Sequence, residues 1–89
     1  MPKVVMYGTK FCPYCMRARQ LLKHKGVEYE DIRIDKETQL RAEMEQRSGR
    51  TSVPQIFIDD FHVGGCDELL DLERKKELDQ YLGLTTSAS

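Results

Sequence analysis

The apolar positions near the start of the chain predict a buried strand followed by a helix. Residues 4–7 form a continuous apolar run that stops at Gly8, as short buried strands do. Residues 13–25 then carry apolar side chains at helical spacing. Pro13 suits the first turn of this helix, and Gly26 is a natural residue to end it.

The remaining apolar positions predict further strands and helices. Residues 27–34 alternate well enough for a strand, and residues 36–48 predict an exposed helix with charges of both signs. Residues 55–63 predict a hairpin whose two-residue turn is Asp59–Asp60. Apolar side chains from Cys66 onward support one or two short helices.

The order of these elements, β-α-β-α-β-β-α, predicts an α/β fold. A right-handed βαβ crossover makes the first two strands parallel neighbours, and the hairpin adds antiparallel strands. We therefore expect a four-stranded mixed sheet flanked by helices on both faces. The length of 89 residues fits one small domain, which we place at residues 1–84. Residues 85–89 are small and polar, and we expect a disordered tail there.

Composition and charge argue against several function classes. The net charge of -1 gives no indication of nucleic-acid binding. No stretch approaches the ~20 apolar residues of a membrane span, and the N-terminal apolar run is shorter than the ~7–15 residues of a signal-peptide core. We therefore expect a cytoplasmic protein whose partners include neither nucleic acid nor a membrane.

The basic residues are unevenly distributed along the sequence. Residues 1–27 contain no acidic residue, and their basic residues are Lys3, Lys10, Arg17, Arg19, Lys23 and Lys25. This excess is consistent with a solvated helix face. It is equally consistent with a segment that attracts an anionic substrate and stabilises a thiolate.

Two of the three cysteines stand three residues apart at the start of the predicted first helix. Free N–H groups and the helix macrodipole favour a thiolate at Cys12, whereas Cys15 lies one turn inside and is more shielded. Such asymmetry gives one attacking and one resolving sulfur. Alternatively, the two cysteines could be two of the four ligands of a zinc ion. The other candidate ligands are Cys66, His24 and His62, and they include no second pair at the spacing of zinc ligands, so we expect no metal.

Three segments together resemble the dithiol glutaredoxins of the small bacterial glutaredoxin 3 type. They are Cys12-Pro13-Tyr14-Cys15, Thr51-Ser52-Val53-Pro54-Gln55-Ile56-Phe57-Ile58 and Gly64-Gly65-Cys66-Asp67-Glu68-Leu69. The segments occur in the family's order and spacing, and the resemblance extends over about residues 3–82. It implies the thioredoxin fold, in agreement with the order of strands and helices.

The resemblance implies a glutathione-dependent thiol–disulfide oxidoreductase. Such an enzyme reduces protein–glutathione mixed disulfides and protein disulfides, with glutathione as cosubstrate and ribonucleotide reductase as one client. Cys12 and Cys15 would form the redox-active disulfide, and Pro13 and Tyr14 between them would complete the catalytic motif. The protein is expected to be a monomer. The alternative is an iron–sulfur carrier in which two chains share a [2Fe–2S] cluster through Cys12 and two glutathiones. The presence of Pro13 and Cys15 argues against this alternative.

A glutathione site beside the cysteines is also implied by the resemblance. Its expected residues are Lys10, Tyr14, Arg41, Val53, Pro54, Gly65, Cys66 and Asp67. A cis Val53–Pro54 bond would turn the Val53 backbone outward to pair with the extended glutathione peptide. Asp67 would meet the ammonium group of glutathione. Arg41 or Gln46, both on the predicted second helix, would meet its glycine carboxylate, and we favour Arg41. Members of the family commonly have a lysine three residues before the first cysteine, where this chain has Thr9. Lys10 would therefore have to reach glutathione from the next position.

Several of these residues also have a purely structural interpretation. Pro54 could simply begin a strand, and Asp67 could be a favourable charge at a helix N-terminus. Cys66 is expected to be a small buried residue, with an accessory site of glutathionylation or dimerisation as the alternative. His24 and His62 have no partner visible in the sequence, and both are expected on the surface.

Overall fold

The first three elements form a parallel βαβ unit. The computed structural model describes residues 2–84 and begins with β1 (Val4–Gly8), α1 (Pro13–His24) and β2 (Tyr29–Arg33). β2 pairs with β1 in parallel, with Val4 opposite Tyr29 and Gly8 opposite Arg33. The predicted parallel neighbours are therefore confirmed. The predicted tail at residues 85–89 lies outside the described residues.

The later elements complete the sheet. They are α2 (Thr38–Ser48), β3 (Gln55–Ile58), β4 (Phe61–Gly64), α3 (Cys66–Arg74) and α4 (Leu78–Tyr81). β3 pairs antiparallel with β1 on the side away from β2, and β4 pairs antiparallel with β3. The strand order β2-β1-β3-β4 confirms the predicted four-stranded mixed sheet and the α/β fold.

Helices cover both faces of the sheet because the strand side chains alternate between two apolar clusters. Val4 and Met6 of β1 face a cluster that includes residues from α1, α3 and α4. Val5 and Tyr7 face the other cluster, where Met44 of α2 is fully buried. The larger cluster lies against α1, so the N-terminus of that helix is fixed to the sheet by a packed core.

The hairpin between β3 and β4 turns at Asp59 and Asp60, as predicted. Asp59 adopts φ 53°, a left-handed conformation that aspartate tolerates better than most residues. Its carboxylate also accepts a hydrogen bond from the Lys3 N–H at 2.9 Å, and its own N–H donates to the Lys3 carbonyl at 2.8 Å. These bonds stabilise the turn without a glycine.

Acidic residues from later in the chain partly neutralise the basic N-terminal segment. The ion pairs involved are Lys3–Glu30, Arg19–Asp31, and Lys25 with Glu73 and Asp79. Within residues 2–84, Lys10, Arg17 and Lys23 form no ion pair. The basic excess around the cysteines is therefore smaller in space than along the sequence.

Among residues 2–84, every helix is too short or too polar to span a lipid bilayer.

Candidate active site

Cys12 occupies the position immediately before α1. Its backbone is extended, with φ -85° and ψ 120°, and its carbonyl accepts the first helical hydrogen bond from the Met16 N–H at 2.9 Å. Pro13 is the first helical residue, where a missing N–H costs nothing. The first turn contains no acidic residue. The half-buried Cys12 therefore lies at the end of α1 where the unpaired N–H groups and the positive end of the helix dipole are found.

Cys15 lies fully buried behind Cys12 in the core cluster under α1. Burial raises the pKa of Cys15 to about 11, and a hydrogen bond between the two thiols acts in the same direction. A hydrogen bond from the Thr9 backbone and the charge of Arg19 oppose this rise in pKa. Cys15 therefore keeps its proton at neutral pH, which makes the accessible Cys12 the attacking sulfur of the pair.

A groove of about 210 Å³ lies beside the two cysteines. Its lining residues are Tyr14, Arg50, Ser52, Val53, Pro54, Gly65, Cys66, Asp67 and Glu68. The Val53–Pro54 peptide bond is cis, as the resemblance implied. The Val53 N–H and C=O form no hydrogen bond within residues 2–84, so both are available to a ligand. A larger depression of about 670 Å³ lies at the far end of β1, and no cysteine lines it.

The structure brings most of the predicted glutathione residues to this groove, but Lys10 and Arg41 do not line it. Lys10 is exposed, with its Nζ 5.4 Å from the centre of the Phe11 ring. Arg41 donates from Nη1 to the Thr51 carbonyl at 3.3 Å, next to the segment that carries Val53. Cys12 does not line the groove either, but Tyr14, two residues after it, does.

Sequence reasoning missed Arg50 and Glu68 as groove residues. Glu68 accepts a hydrogen bond from the Gly65 N–H at 2.6 Å, and Arg50 Nη1 lies 3.1 Å from the same Glu68 oxygen. The Gly65 N–H and the Arg50 guanidinium together hold the pKa of Glu68 below its ordinary value. The acidic residue three positions after Gly65, the residue that precedes α3, is a capping signal that the sequence shows, whereas no sequence pattern indicates Arg50.

Comparison with known proteins agrees with this geometry. The sequence model of the glutaredoxin family matches residues 4–63. The chain is 54% identical to a glutaredoxin of Pseudomonas aeruginosa over 82 residues, which cover 92% of this chain and 98% of that protein. The chain belongs to the glutaredoxin family.

Two further relatives extend this result. Glutaredoxin 3 of Escherichia coli strain K12 is 50% identical over 82 residues, which cover 92% of this chain and 99% of that protein. The crystal structure of a buckwheat glutaredoxin–glutathione complex superposes with a TM-score of 0.85 at 30% identity, covering 92% of this chain and 77% of that one. This glutaredoxin is a thiol–disulfide oxidoreductase, and the fold is the thioredoxin fold.

The remaining cysteine and the histidines of this glutaredoxin lie in different environments. Cys66 is buried as predicted, and burial raises the pKa of its thiol. His24 is exposed. His62, predicted on the surface, is half-buried instead, and its Nε2 lies 2.7 Å from Gln55 Oε1, a partner that the sequence does not show. Within residues 2–84, no three His, Cys, Asp or Glu side chains come together as a metal-ligand set.

We expect Gly8→Ala to destabilise this glutaredoxin by about 1–3 kcal/mol, which is the usual cost of overpacking. A Cβ atom at Gly8 would lie 2.9 Å from Cys15 Sγ, in a fully packed part of the core. Without that contact, the same substitution in a strand would be neutral or stabilising, because alanine restricts the unfolded chain. Urea unfolding measures the difference in stability.

The double variant Gly8→Ala/Cys15→Ala is the matched control for this contact. Its Gly8→Ala step, measured against Cys15→Ala alone, should cost much less because the sulfur is gone. An equal cost in both backgrounds would show that Cys15 Sγ is not the atom that excludes a side chain at Gly8.

Proposed function

We propose that this glutaredoxin reduces protein–glutathione mixed disulfides through Cys12. The Cys12 thiolate attacks the glutathione sulfur of the mixed disulfide, so that Cys12 becomes joined to glutathione and the client protein leaves as a thiolate that takes up a proton. A second glutathione thiolate then attacks the bound glutathione sulfur. Glutathione disulfide leaves, and the Cys12 thiolate is restored.

Protein disulfides take a second route that also uses Cys15. Cys12 attacks one sulfur of the client disulfide and forms a mixed disulfide with it, while the other client sulfur leaves. Cys15 loses its proton and attacks the Cys12 sulfur, which releases the client and leaves a disulfide between Cys12 and Cys15. Two glutathiones reduce that disulfide in turn. Cys12 is close enough to Cys15 to raise the pKa of the Cys15 thiol, and this proximity supports the exchange between the two sulfurs.

The half-buried Cys12 lies next to a groove with free backbone groups, and this combination is the main support for a short peptide such as glutathione as the cosubstrate. The free N–H and C=O of Val53 can pair with an extended tripeptide, as a sheet edge does. Asp67 is exposed in the first turn of α3, where it can meet the ammonium group of the γ-glutamyl end. The buckwheat relative was crystallised as a glutathione complex, which supports glutathione as the ligand.

Tyr14, Pro54, Gly65 and Cys66 complete the proposed walls of the site. Gly65 lies close to the cis-proline segment, since a Cβ atom there would be 3.3 Å from the Pro54 carbonyl oxygen. Arg41 and Lys10 remain our proposal for the glycine carboxylate. Arg41 is favoured by its bond to Thr51, whereas Lys10 would have to leave the Phe11 ring.

We place the reaction in the cytoplasm and propose that the chain acts there as a monomer. Typical glutaredoxin potentials of roughly -200 to -230 mV suit exchange with the reducing glutathione pool of that compartment. Ribonucleotide reductase is the proposed client of the Cys15-dependent route, because such a reductase needs a dithiol donor to return its own disulfide to thiols.

A coupled assay with glutathione, glutathione reductase and NADPH tests this function on a glutathionylated protein. We expect NADPH oxidation that requires both the chain and glutathione and that exceeds any rate supported by thioredoxin reductase. Activity with thioredoxin reductase alone would contradict the proposal. The iron–sulfur carrier predicts a brown, dimeric protein instead, which an absorption spectrum of freshly purified protein detects.

Asp67→Ala should raise the apparent KM for glutathione about three- to tenfold with little change in kcat. A charged hydrogen bond contributes affinity, but exposure and salt screening keep this one near the low end of the usual range. Asp60→Ala, an exposed aspartate in the hairpin turn, is the matched control and should keep the wild-type KM. A wild-type KM in Asp67→Ala would remove Asp67 from the site.

A further inference from the structure

Gln55 is the only buried polar or charged side chain among residues 2–84, and it immediately follows the cis proline. Burying a carboxamide is unfavourable unless its donors and acceptor are hydrogen-bonded. Its Nε2 donates to the Ser52 carbonyl at 3.0 Å and approaches Ser52 Oγ at 3.3 Å. Gln55 therefore ties the start of β3 to the residue that precedes Val53.

The bond to Ser52 determines how the other end of the carboxamide is used. Because the Ser52 carbonyl can only accept a hydrogen bond, the Gln55 side-chain nitrogen must face it. The other end of the carboxamide, Gln55 Oε1, then faces His62 and lies 2.7 Å from His62 Nε2. An amide oxygen can only accept, so His62 Nε2 must carry the hydrogen. A neutral His62 satisfies this requirement through one of its two tautomers.

The His62 ring is itself held in place by its neighbours. It stacks on Phe57, with ring centres 4.7 Å apart and an angle of 23° between the planes. Burial lowers the pKa of His62, and the charges of Arg50 and Arg47 act in the same direction against that of Glu68. The ring therefore offers Gln55 a fixed N–H donor from β4.

We propose that His62 is a positioning residue for glutathione. Through Gln55 and Ser52 it holds the Val53 backbone N–H and C=O open to the groove, although His62 does not itself line that groove. This inference rests on the proposed function, in which Val53 pairs with glutathione. Loss of the His62 donor leaves Gln55 Oε1 unpaired in the interior, so the carboxamide turns and releases Ser52.

Two variants separate the hydrogen bond from the ring. His62→Phe keeps a ring that can stack on Phe57 but removes the donor, and His62→Gln keeps an N–H donor at a similar reach but removes the ring. His24→Phe, on the exposed end of α1, is the matched control. If His62→Phe does not fold, His62→Leu replaces it, and urea unfolding establishes the stability of each variant.

We expect His62→Phe to raise the apparent KM for glutathione about three- to tenfold, the range of one neutral hydrogen bond. The rate of Cys12 alkylation by iodoacetamide should not change, because Cys12 is held by α1. His62→Gln should recover most of the affinity, and His24→Phe should match the wild type. The amide resonance of Val53 in a nitrogen–proton NMR spectrum should move in His62→Phe and return towards its wild-type position in His62→Gln.

A wild-type KM in His62→Phe overturns the proposal, as does a larger loss in His62→Gln than in His62→Phe, which would assign the effect to ring packing. Wild-type turnover that does not depend on glutathione overturns the proposed function itself. The two failures are therefore distinguishable, since the first is read from the ratio of variant to wild type and the second from the wild type alone.

Discussion

Cys12→Ser is expected to reduce disulfide exchange on every substrate by about a thousandfold or more, as removal of an enzyme's nucleophile generally does. The helix N-terminus can stabilise a thiolate at this position, but a serine hydroxyl remains protonated at neutral pH and is a poor nucleophile towards sulfur. The coupled glutathione reductase assay measures the loss with a glutathionylated protein and, separately, with a protein disulfide.

Cys15→Ser is the matched control, because it makes the same substitution three residues away. It should keep turnover on the glutathionylated protein while Cys12→Ser loses it. Substantial turnover by Cys12→Ser on either substrate would show that another group is the nucleophile.

Cys15→Ser should reduce the activity on protein disulfides at least about a hundredfold. In the wild type, the neighbouring Cys15 resolves the bond between Cys12 and the client within the molecule, and intramolecular attack has a high effective concentration. In the variant, only dissolved glutathione can resolve it. Parallel steady-state kinetics on the two substrate classes measure the split.

An equal loss on both substrates would contradict this division of roles between the two cysteines. Because serine also replaces a fully buried thiol, urea unfolding must first show that the variant is folded. The ratio of the two activities within one variant does not depend on the fraction of folded protein.

Most of the fold could be predicted because it depends on local patterns. The apolar run at residues 4–7 and the two-residue turn at Asp59–Asp60 set the strands, and the crossover rule set the parallel pairing. The ends of elements were less predictable. Gly8 appeared to end β1, yet its backbone still pairs with Arg33 and its carbonyl accepts the Ile34 N–H at 3.0 Å.

The catalytic pair was predictable from its spacing at a helix start, but the contacts around the groove were not. His62 and Gln55 meet only because β3 and β4 pair, and a side-chain hydrogen bond of this kind leaves no periodic signal in the sequence. Similarly, Arg19 is neutralised by Asp31 only once β2 lies beside α1. Such polar contacts depend on the three-dimensional arrangement that the apolar pattern produces.

Locating the glutathionyl group in the trapped intermediate tests directly whether Cys12 is the sulfur that receives glutathione. Cys15→Ser is incubated with glutathione disulfide, the excess is removed, and the protein is digested without reduction for peptide mass spectrometry. We expect one glutathionyl group per chain, on Cys12, and its release when glutathione is added. A glutathionyl group on Cys66 instead, or none on Cys12, would contradict the claim that Cys12 is the sulfur that receives glutathione.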